Sequence, residues 1–136
     1  MIEKIDHLGI AVESLAETIP IFRDVLGLEL LEEEEVPEQK VRVAKFKVGD
    51  VDIELLEPTS PESPIAKFLS SRGQGIHHIA YKTDDIRGQI EKLVDKGATM
   101  IDNVPRTGAG GMKIAFIHPK STAKILTEIC EGHNEH

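Results

Sequence analysis

The sequence contains few of the residues that specialised folds and partners require. Its 136 residues include a single cysteine, Cys130, and no tryptophan, with one tyrosine and four phenylalanines. A single cysteine excludes an internal disulfide framework and is typical of a reducing compartment. So few aromatic rings also disfavour a site that binds nucleic acid by base stacking.

Basic residues and long apolar runs are scarce as well. The chain has 16 Lys and Arg against 24 Asp and Glu, which gives a formal net charge of −8. Nucleic acids and anionic membranes both require a basic face, so neither is expected as a partner. No apolar run approaches the roughly 18 residues of a membrane span. The segment Met1–His7 resembles neither a secretory signal nor a transit peptide, and we expect a soluble cytoplasmic protein.

What the sequence does contain is a weak internal repeat. The segments Ile5–Val12 and Ile76–Thr83 are both strand-like, and a helical pattern of apolar residues follows each of them. Ser14 and Asp85 are the predicted N-terminal caps of the two helices. Pro20 lacks an N–H group and should bend the first helix. We interpret the pattern as a duplicated module.

Three predicted strands follow each helix, so that each half has the element order βαβββ. They are Leu28–Glu34, Val41–Val48 and Asp52–Leu56 in the first half, and Thr99–Asn103, Lys113–His118 and Ile125–Cys130 in the second. This order predicts an α+β fold in a single domain. One module spans about residues 1–58, a helical connector about 59–74, and the other module about 75–132.

Four polar residues recur at equivalent places in the two modules. His7 and His78 lie on the first strands, 71 residues apart, and Glu54 and Glu128 lie on the last strands, 74 residues apart. A lone histidine or glutamate in a strand is usually structural or faces water, but recurrence in a duplicated module favours a shared site. Two imidazoles and two carboxylates suit a divalent transition metal such as Zn²⁺, Co²⁺, Ni²⁺ or Mn²⁺. His77 should point to the other face of the sheet and is left out of this set.

The motifs around these residues resemble the methylmalonyl-coenzyme A epimerases of the vicinal oxygen chelate superfamily over nearly the whole chain. The resemblance implies curved mixed sheets around a metal site, a divalent ion with Co²⁺ favoured, and a homodimer. The family usually has small residues, often a glycine, before the last strand, where this chain has Ala123-Lys124-Ile125. The segments that carry the resemblance are Asp6–Val12, Ile53–Pro58 and Gly75–Ala80, shared with glyoxalase-like relatives, and the more specific Val36–Val41 and Gly108–Lys120.

Epimerisation removes the proton α to a thioester and returns one on the opposite face, which requires a base on each side of the carbon. The resemblance suggests two glutamates for this purpose, Glu38 and the metal ligand Glu128. On composition alone Glu38 merely ends a run of acidic residues, which usually forms a solvated surface. Gln39 beside it is a candidate for orienting the substrate.

The implied acyl-coenzyme A substrate is an anion, and one stretch of the chain suits it. Residues 105–127 contain no Asp or Glu but four basic residues, among them Lys113 and Lys120. The glycine-rich Gly108–Gly111 segment either brings backbone N–H groups to a ligand or forms a simple hairpin turn. His118 either contacts the acyl group or caps a turn.

Two other functions remain open on the sequence. A glyoxalase I-type lactoylglutathione lyase would use the same fold, a similar ligand set and related proton-transfer chemistry. A non-catalytic small-molecule binding protein of the same fold is disfavoured, since the chain has few aromatic residues and keeps four potential ligands. We interpret the tail His133–His136 as a mobile end and not as a second metal site.

Overall fold

The structure is a computed structural model that describes residues 1–132. The chain divides into two compact units, which we call the first unit (residues 7–77) and the second unit (residues 1–6 and 78–132). The tail His133–His136, interpreted above as a mobile end, lies outside the described residues. Across residues 1–132, no helix combines the length and apolar character needed to cross a bilayer.

The first unit contains the C-terminal part of β1 (Ile2–Ala11) and the whole of β2 (Glu29–Val36), β3 (Val41–Val48) and β4 (Val51–Pro58). Their order is β2-β3-β4-β1. Strands β1 and β4 are parallel, and the other two pairs are antiparallel. Residues 49–50 form the tight turn between β3 and β4.

The first helix, α1 (Leu15–Pro20), begins at the predicted cap and changes geometry at Pro20, where the sequence predicts a bend. The Ser14 side chain accepts the backbone N–H of Glu17 at 3.2 Å. Pro20 is the last residue of the α-helix, and a π-helical turn follows over Ile21–Val25. Proline has no N–H group to donate to the helical ladder, which accounts for the change from α-helical to π-helical geometry at this point. Leu15 and Ile19 pack against Phe46 and Leu55 of the sheet.

The connector is helical, as predicted. Helix α2 (Pro64–Arg72) starts at Ser63, whose hydroxyl accepts the N–H of Ile65 at 3.2 Å. It ends at Gly73, which adopts φ 75°, a conformation that glycine reaches without strain. Strand β5 (Gly75–Thr83) follows, and its residues from His78 onward belong to the second unit.

The second unit repeats the arrangement of the first. It adds α3 (Ile86–Asp95), β6 (Arg106–Thr107), β7 (Lys113–Ile117) and β8 (Thr127–Glu131). The strand order is β5-β8-β7-β6, with β5 and β8 parallel and the other pairs antiparallel. Asp85 caps α3 by accepting the N–H of Gly88 at 3.1 Å. The equivalent parallel pair and helix position in each unit confirm the βαβββ repeat.

One predicted strand was placed wrongly. Thr99–Asn103 is irregular apart from a single bridge between Met100 and Ile117, and the strand at this place in the module is the short Arg106–Thr107. The backbone N–H groups of Ile101 and Asp102 both donate to the carbonyl of Phe116, at 2.8 and 3.2 Å. The Asp102 carboxylate in turn accepts the Phe116 N–H at 2.9 Å. A side chain therefore replaces the backbone partner that a regular ladder would supply.

Candidate active site

The first unit brings together two of the four predicted metal ligands. His7 Nδ1 lies 3.4 Å from Glu54 Oε2. The pairing of β1 with β4 sets Glu54 beside Gly9, and His7 is two residues earlier on the same face. Both residues are only 4% exposed, so Glu54 does not face water as a lone strand glutamate often does.

The second unit brings together the other two. His78 Nε2 lies 3.4 Å from Glu128 Oε1, and these residues are 5% and 4% exposed. Glu128 is opposite Ala80 in the parallel pairing of β5 with β8, again on the face that carries the histidine. The ring of Phe116 meets the His78 imidazole edge to face, with centroids 5.5 Å apart.

Each unit therefore holds one buried imidazole and one buried carboxylate in contact. A buried carboxylate is costly unless it is paired or bound to a metal. Nitrogen and oxygen donors at this separation suit a divalent transition metal. The chemistry of the donors in each pair thus fits half of the ligand set that the sequence predicts.

His77 lies on the opposite side of β5 from His78. Its ring packs edge to face against Phe68 of α2, with centroids 5.1 Å apart. Burial in this contact lowers the pKa of His77 to about 4, so its imidazole is neutral at pH 7. Packing against the connector accounts for this histidine, in agreement with its exclusion from the predicted ligands.

Glu38 and Gln39 lie just beyond the end of β2. They belong to a single 3₁₀ turn, Pro37–Gln39, in which Glu38 is exposed and Gln39 is half-buried. Lys40 closes the turn in the left-handed region at φ 56°. The turn places Glu38 beyond the end of the strand that carries the preceding glutamates, and its side chain is exposed there.

Two of the predicted substrate-binding features have a structural role in the protein. For both, the sequence left this role open as the alternative to binding. Residues 108–111 form the loop of the β6–β7 hairpin, closed by a 2.8 Å bond from the Gly108 N–H to the Met112 carbonyl. His118 caps the turn Pro119–Ser121, since its Nδ1 accepts the backbone N–H of Lys120 at 3.1 Å. His118, Lys113 and Lys120 are all exposed at the surface of the second unit.

Arg106 was not selected from the sequence as a site residue, although it lies in the basic stretch. Its guanidinium carbon is 5.6 Å from the centroid of the Phe116 ring, the same ring that contacts His78. Asp102 anchors it through an ion pair of 3.2 Å. Arg106 is thus held one ring away from a predicted metal ligand. In the sequence, the one indication of a role for Arg106 was its position in the stretch 105–127, which contains no acidic residue.

Comparison with known proteins agrees with this architecture. Residues 6–116 match the model of the Glyoxalase/Bleomycin resistance protein/Dioxygenase superfamily. The chain belongs to this superfamily. It is 46% identical over 137 residues to the uncharacterized protein YqjC of Bacillus subtilis, covering 98% of both chains.

Two further comparisons give the family within the superfamily. The ethylmalonyl-CoA/methylmalonyl-CoA epimerase of Cereibacter sphaeroides is 35% identical over 131 residues, covering 95% of this chain and 98% of that protein. A solved methylmalonyl-CoA epimerase in complex with methylmalonyl-CoA and NH4+ is 36% identical, with a TM-score of 0.94 over 98% of this chain and 97% of that one. The chain is a member of the methylmalonyl-CoA epimerase family.

Proposed function

We propose that this protein is a metal-dependent epimerase that interconverts (R)- and (S)-methylmalonyl-CoA. The observation that carries the proposal is the buried histidine–glutamate pair, which recurs at the equivalent place in each unit. The family supplies the reaction, since relatives and a solved structure of similar length are methylmalonyl-CoA epimerases.

The metal assignment combines the two pairs. His7, Glu54, His78 and Glu128 are taken as the four ligands of one divalent ion, with Co²⁺ favoured by the family and Mn²⁺, Zn²⁺ and Ni²⁺ compatible with the donors. Support comes from the duplication, because a two-fold repeated module offers the same donors twice. When bound, such an ion supplies Lewis acidity toward the thioester oxygen.

The proton transfers are assigned to two carboxylates. One of Glu38 and Glu128 accepts the α-proton of the substrate as a carboxylate, and the other, as a carboxylic acid, donates a proton to the opposite face of the same carbon. The carbon keeps one hydrogen and its configuration inverts, while the two glutamates exchange protonation states. Glu38 belongs to the 3₁₀ turn after β2 and not to the strand that carries the glutamate run, which supports its role as a base. Gln39, half-buried beside it, is assigned to orienting the acyl group.

Binding of the coenzyme A moiety is assigned to the basic stretch of the second unit. Lys113 and Lys120 are exposed, and Arg106 is held by Asp102 and Phe116. His118, also exposed, is kept as a candidate contact of the acyl group. Cationic side chains in a region without acids attract a polyanion by long-range electrostatics. Arg106 joins the assignment because its guanidinium is already held in place.

A homodimer is also part of the proposal, on the basis of the family resemblance. Each chain has a mass of 15.0 kDa. Analytical ultracentrifugation of the purified protein should give a mass about twice that of the chain. A single species at the mass of the chain would overturn the assignment.

The deciding experiment is metal analysis of the purified protein together with a coupled assay. (S)- and (R)-methylmalonyl-CoA are the substrates, and the hemithioacetal of glutathione and methylglyoxal is the control. We expect a bound divalent metal, interconversion of the two epimers, and loss of activity on chelation that the metal restores. Activity confined to the glutathione adduct would replace this proposal with a lactoylglutathione lyase.

A further inference from the structure

The first unit contains a fully buried lysine. Lys45, on β3, is only 1% exposed. Lysine is almost never buried to this extent unless its ammonium is paired with an acidic group. The antiparallel pairing of β3 with β4 places Lys45 directly opposite Glu54, the predicted metal ligand. Residues opposite each other in such a pair leave the same face of the sheet, with Cβ atoms about 4.5–5.5 Å apart.

On the other side of β3, Lys45 faces a second carboxylate. Its Nζ lies 3.3 Å from Oε1 of Glu32 on β2, whose side chain is 41% exposed. Lys45 is therefore the middle member of a row of alternating charge that crosses three strands. The row runs from the half-exposed Glu32 through the buried Lys45 to the buried Glu54.

A β-bulge builds this row. Leu30 pairs with Phe46, and an uninterrupted register would place Leu31 opposite Lys45. The register instead shifts by one residue between Leu30 and Glu32, so that Glu32 occupies that place. A bulge re-aims the side chains that follow it. Here it replaces an apolar neighbour of a buried ammonium with a carboxylate.

We propose that Lys45 is a positioning residue that acts as the resident counter-cation of Glu54 and competes with the divalent metal for that carboxylate. The inference rests on the proposed function in one respect, namely that Glu54 is a metal ligand. Without metal, the ammonium balances the buried carboxylate. With metal, two cationic groups face one carboxylate, and Glu32 offsets the charge of Lys45 from the other side.

This arrangement determines whether each substitution strengthens or weakens metal binding. Removal of the Lys45 charge relieves its repulsion with the metal, so metal binding becomes tighter, while the metal-free protein loses the counter-cation of Glu54. Removal of the Glu32 charge leaves Lys45 less well balanced, so metal binding becomes weaker. A lysine with only a packing role would change neither metal affinity nor the difference in stability between the metal-free and metal-loaded forms.

The first test uses Lys45→Met, which keeps the length of the side chain, and Lys45→Arg, which keeps the charge. Co²⁺ affinity is measured on the full chain by visible absorption in competition with a chelator, and thermal unfolding is followed with and without Co²⁺. We expect Lys45→Met to bind Co²⁺ about tenfold more tightly and its metal-free form to melt about 5 °C lower. Lys45→Arg and the exposed control Lys47→Met should stay within about threefold of the wild-type affinity.

The second test keeps the inference falsifiable if Lys45→Met does not fold. Glu32 is at the surface edge of the row, and Glu32→Gln should weaken Co²⁺ binding by about threefold. Glu33→Gln is the matched control, because Glu33 is paired with Ala44 and not with Lys45. It should leave the Co²⁺ affinity unchanged.

The outcomes separate this inference from the proposed function. Unchanged or weaker Co²⁺ binding by Lys45→Met, or equal effects of Glu32→Gln and Glu33→Gln, overturns the role of Lys45 alone. A wild-type chain that binds no divalent metal overturns both proposals. If Lys45→Met binds Co²⁺ more tightly and Glu32→Gln binds it more weakly, but the wild-type protein has no epimerase activity, the proposed reaction is wrong and the role of Lys45 is supported.

Discussion

The carboxylate of Glu57 accepts the backbone N–H of Leu15 at 2.9 Å and so joins the end of β4 to the start of α1. Glu131 makes the equivalent bond to Ile86 at 2.8 Å, joining β8 to α3. The two glutamates are 74 residues apart, which is the spacing of the two proposed ligand glutamates, and each lies three residues after one of those. An offset of three in a strand reverses the face. One strand in each unit therefore carries a proposed metal ligand on one face and anchors a helix on the other.

Substitution of Glu57 by alanine should reduce stability without affecting the metal. The first turn of a helix has unpaired N–H groups, and loss of an acidic acceptor there costs about 1 kcal/mol. Urea unfolding of Glu57→Ala should show this decrease, with unchanged metal content. Glu35→Ala, on the exposed surface of β2, is the control and should stay within about 0.5 kcal/mol of wild type. Equal stabilities of the two variants would contradict the role of Glu57.

Adjacent histidines on β5 should differ in their importance for the metal. His78→Ala removes a proposed ligand, and its affinity for the metal should fall by more than the roughly 10–100-fold that loss of an outer partner costs. His77→Ala loses the contact with Phe68, so it should be less stable but keep its metal. Elemental analysis after dialysis distinguishes them. Retention of stoichiometric metal by His78→Ala would exclude it as a ligand.

Glu38→Gln should separate the proton transfers from the metal site. Glutamine preserves the shape of the side chain but cannot accept the α-proton. The variant should keep its metal and lose exchange of the α-proton with solvent deuterium from one enantiomer of methylmalonyl-CoA, followed by NMR. Glu35→Gln should exchange protons with both enantiomers at the wild-type rate. Full epimerisation by Glu38→Gln would remove Glu38 from the mechanism.

Much of the architecture could be predicted because its signals are local or repeated. Ser14 and Asp85 carry the cap chemistry that starts a helix, and Pro20 ends the α-helical geometry where its missing N–H requires. The proposed metal ligands were selected through recurrence. A single histidine in a strand does not indicate a metal site. A second histidine 71 positions later, in the equivalent strand of the repeat, does.

Other features depend on contacts between distant segments and leave little trace in the sequence. The strand predicted at Thr99–Asn103 failed because the Asp102 side chain bonds to the backbone of Phe116, 14 residues away. The neighbours of Lys45 depend on a one-residue bulge, which alternation of apolar residues does not reveal. The position of Lys45 in its strand did carry a signal. Val41, Val43 and Lys45 are two residues apart and so lie on the same face, and both valines are buried.

The departure from the family pattern at Lys124 has a backbone consequence. Ala123 and Lys124 adopt φ values of 57° and 68°, in the left-handed region that disfavours side chains with a Cβ. Lys124→Gly should therefore raise stability by about 0.5–1 kcal/mol in urea unfolding. The control Lys92→Gly, inside α3, should lower stability by about 1 kcal/mol. A decrease for Lys124→Gly would mean that its side chain makes a stabilising contact that outweighs the strain.

Arg106 should contribute to substrate affinity more than to the chemical step. Its guanidinium is held over Phe116 and paired with Asp102, so it meets a polyanionic substrate with little loss of side-chain freedom. Arg106→Gln should raise KM for methylmalonyl-CoA by about tenfold with kcat nearly unchanged, since removal of a contact made equally in ground and transition states affects KM alone. The wild-type KM should also rise with salt as the Debye length falls below about 10 Å, and the variant should respond less. Arg87→Gln, an exposed arginine on α3, should behave as wild type. A salt-insensitive wild-type KM would contradict electrostatic binding by the basic stretch, and a fall in kcat alone would place Arg106 in the chemical step.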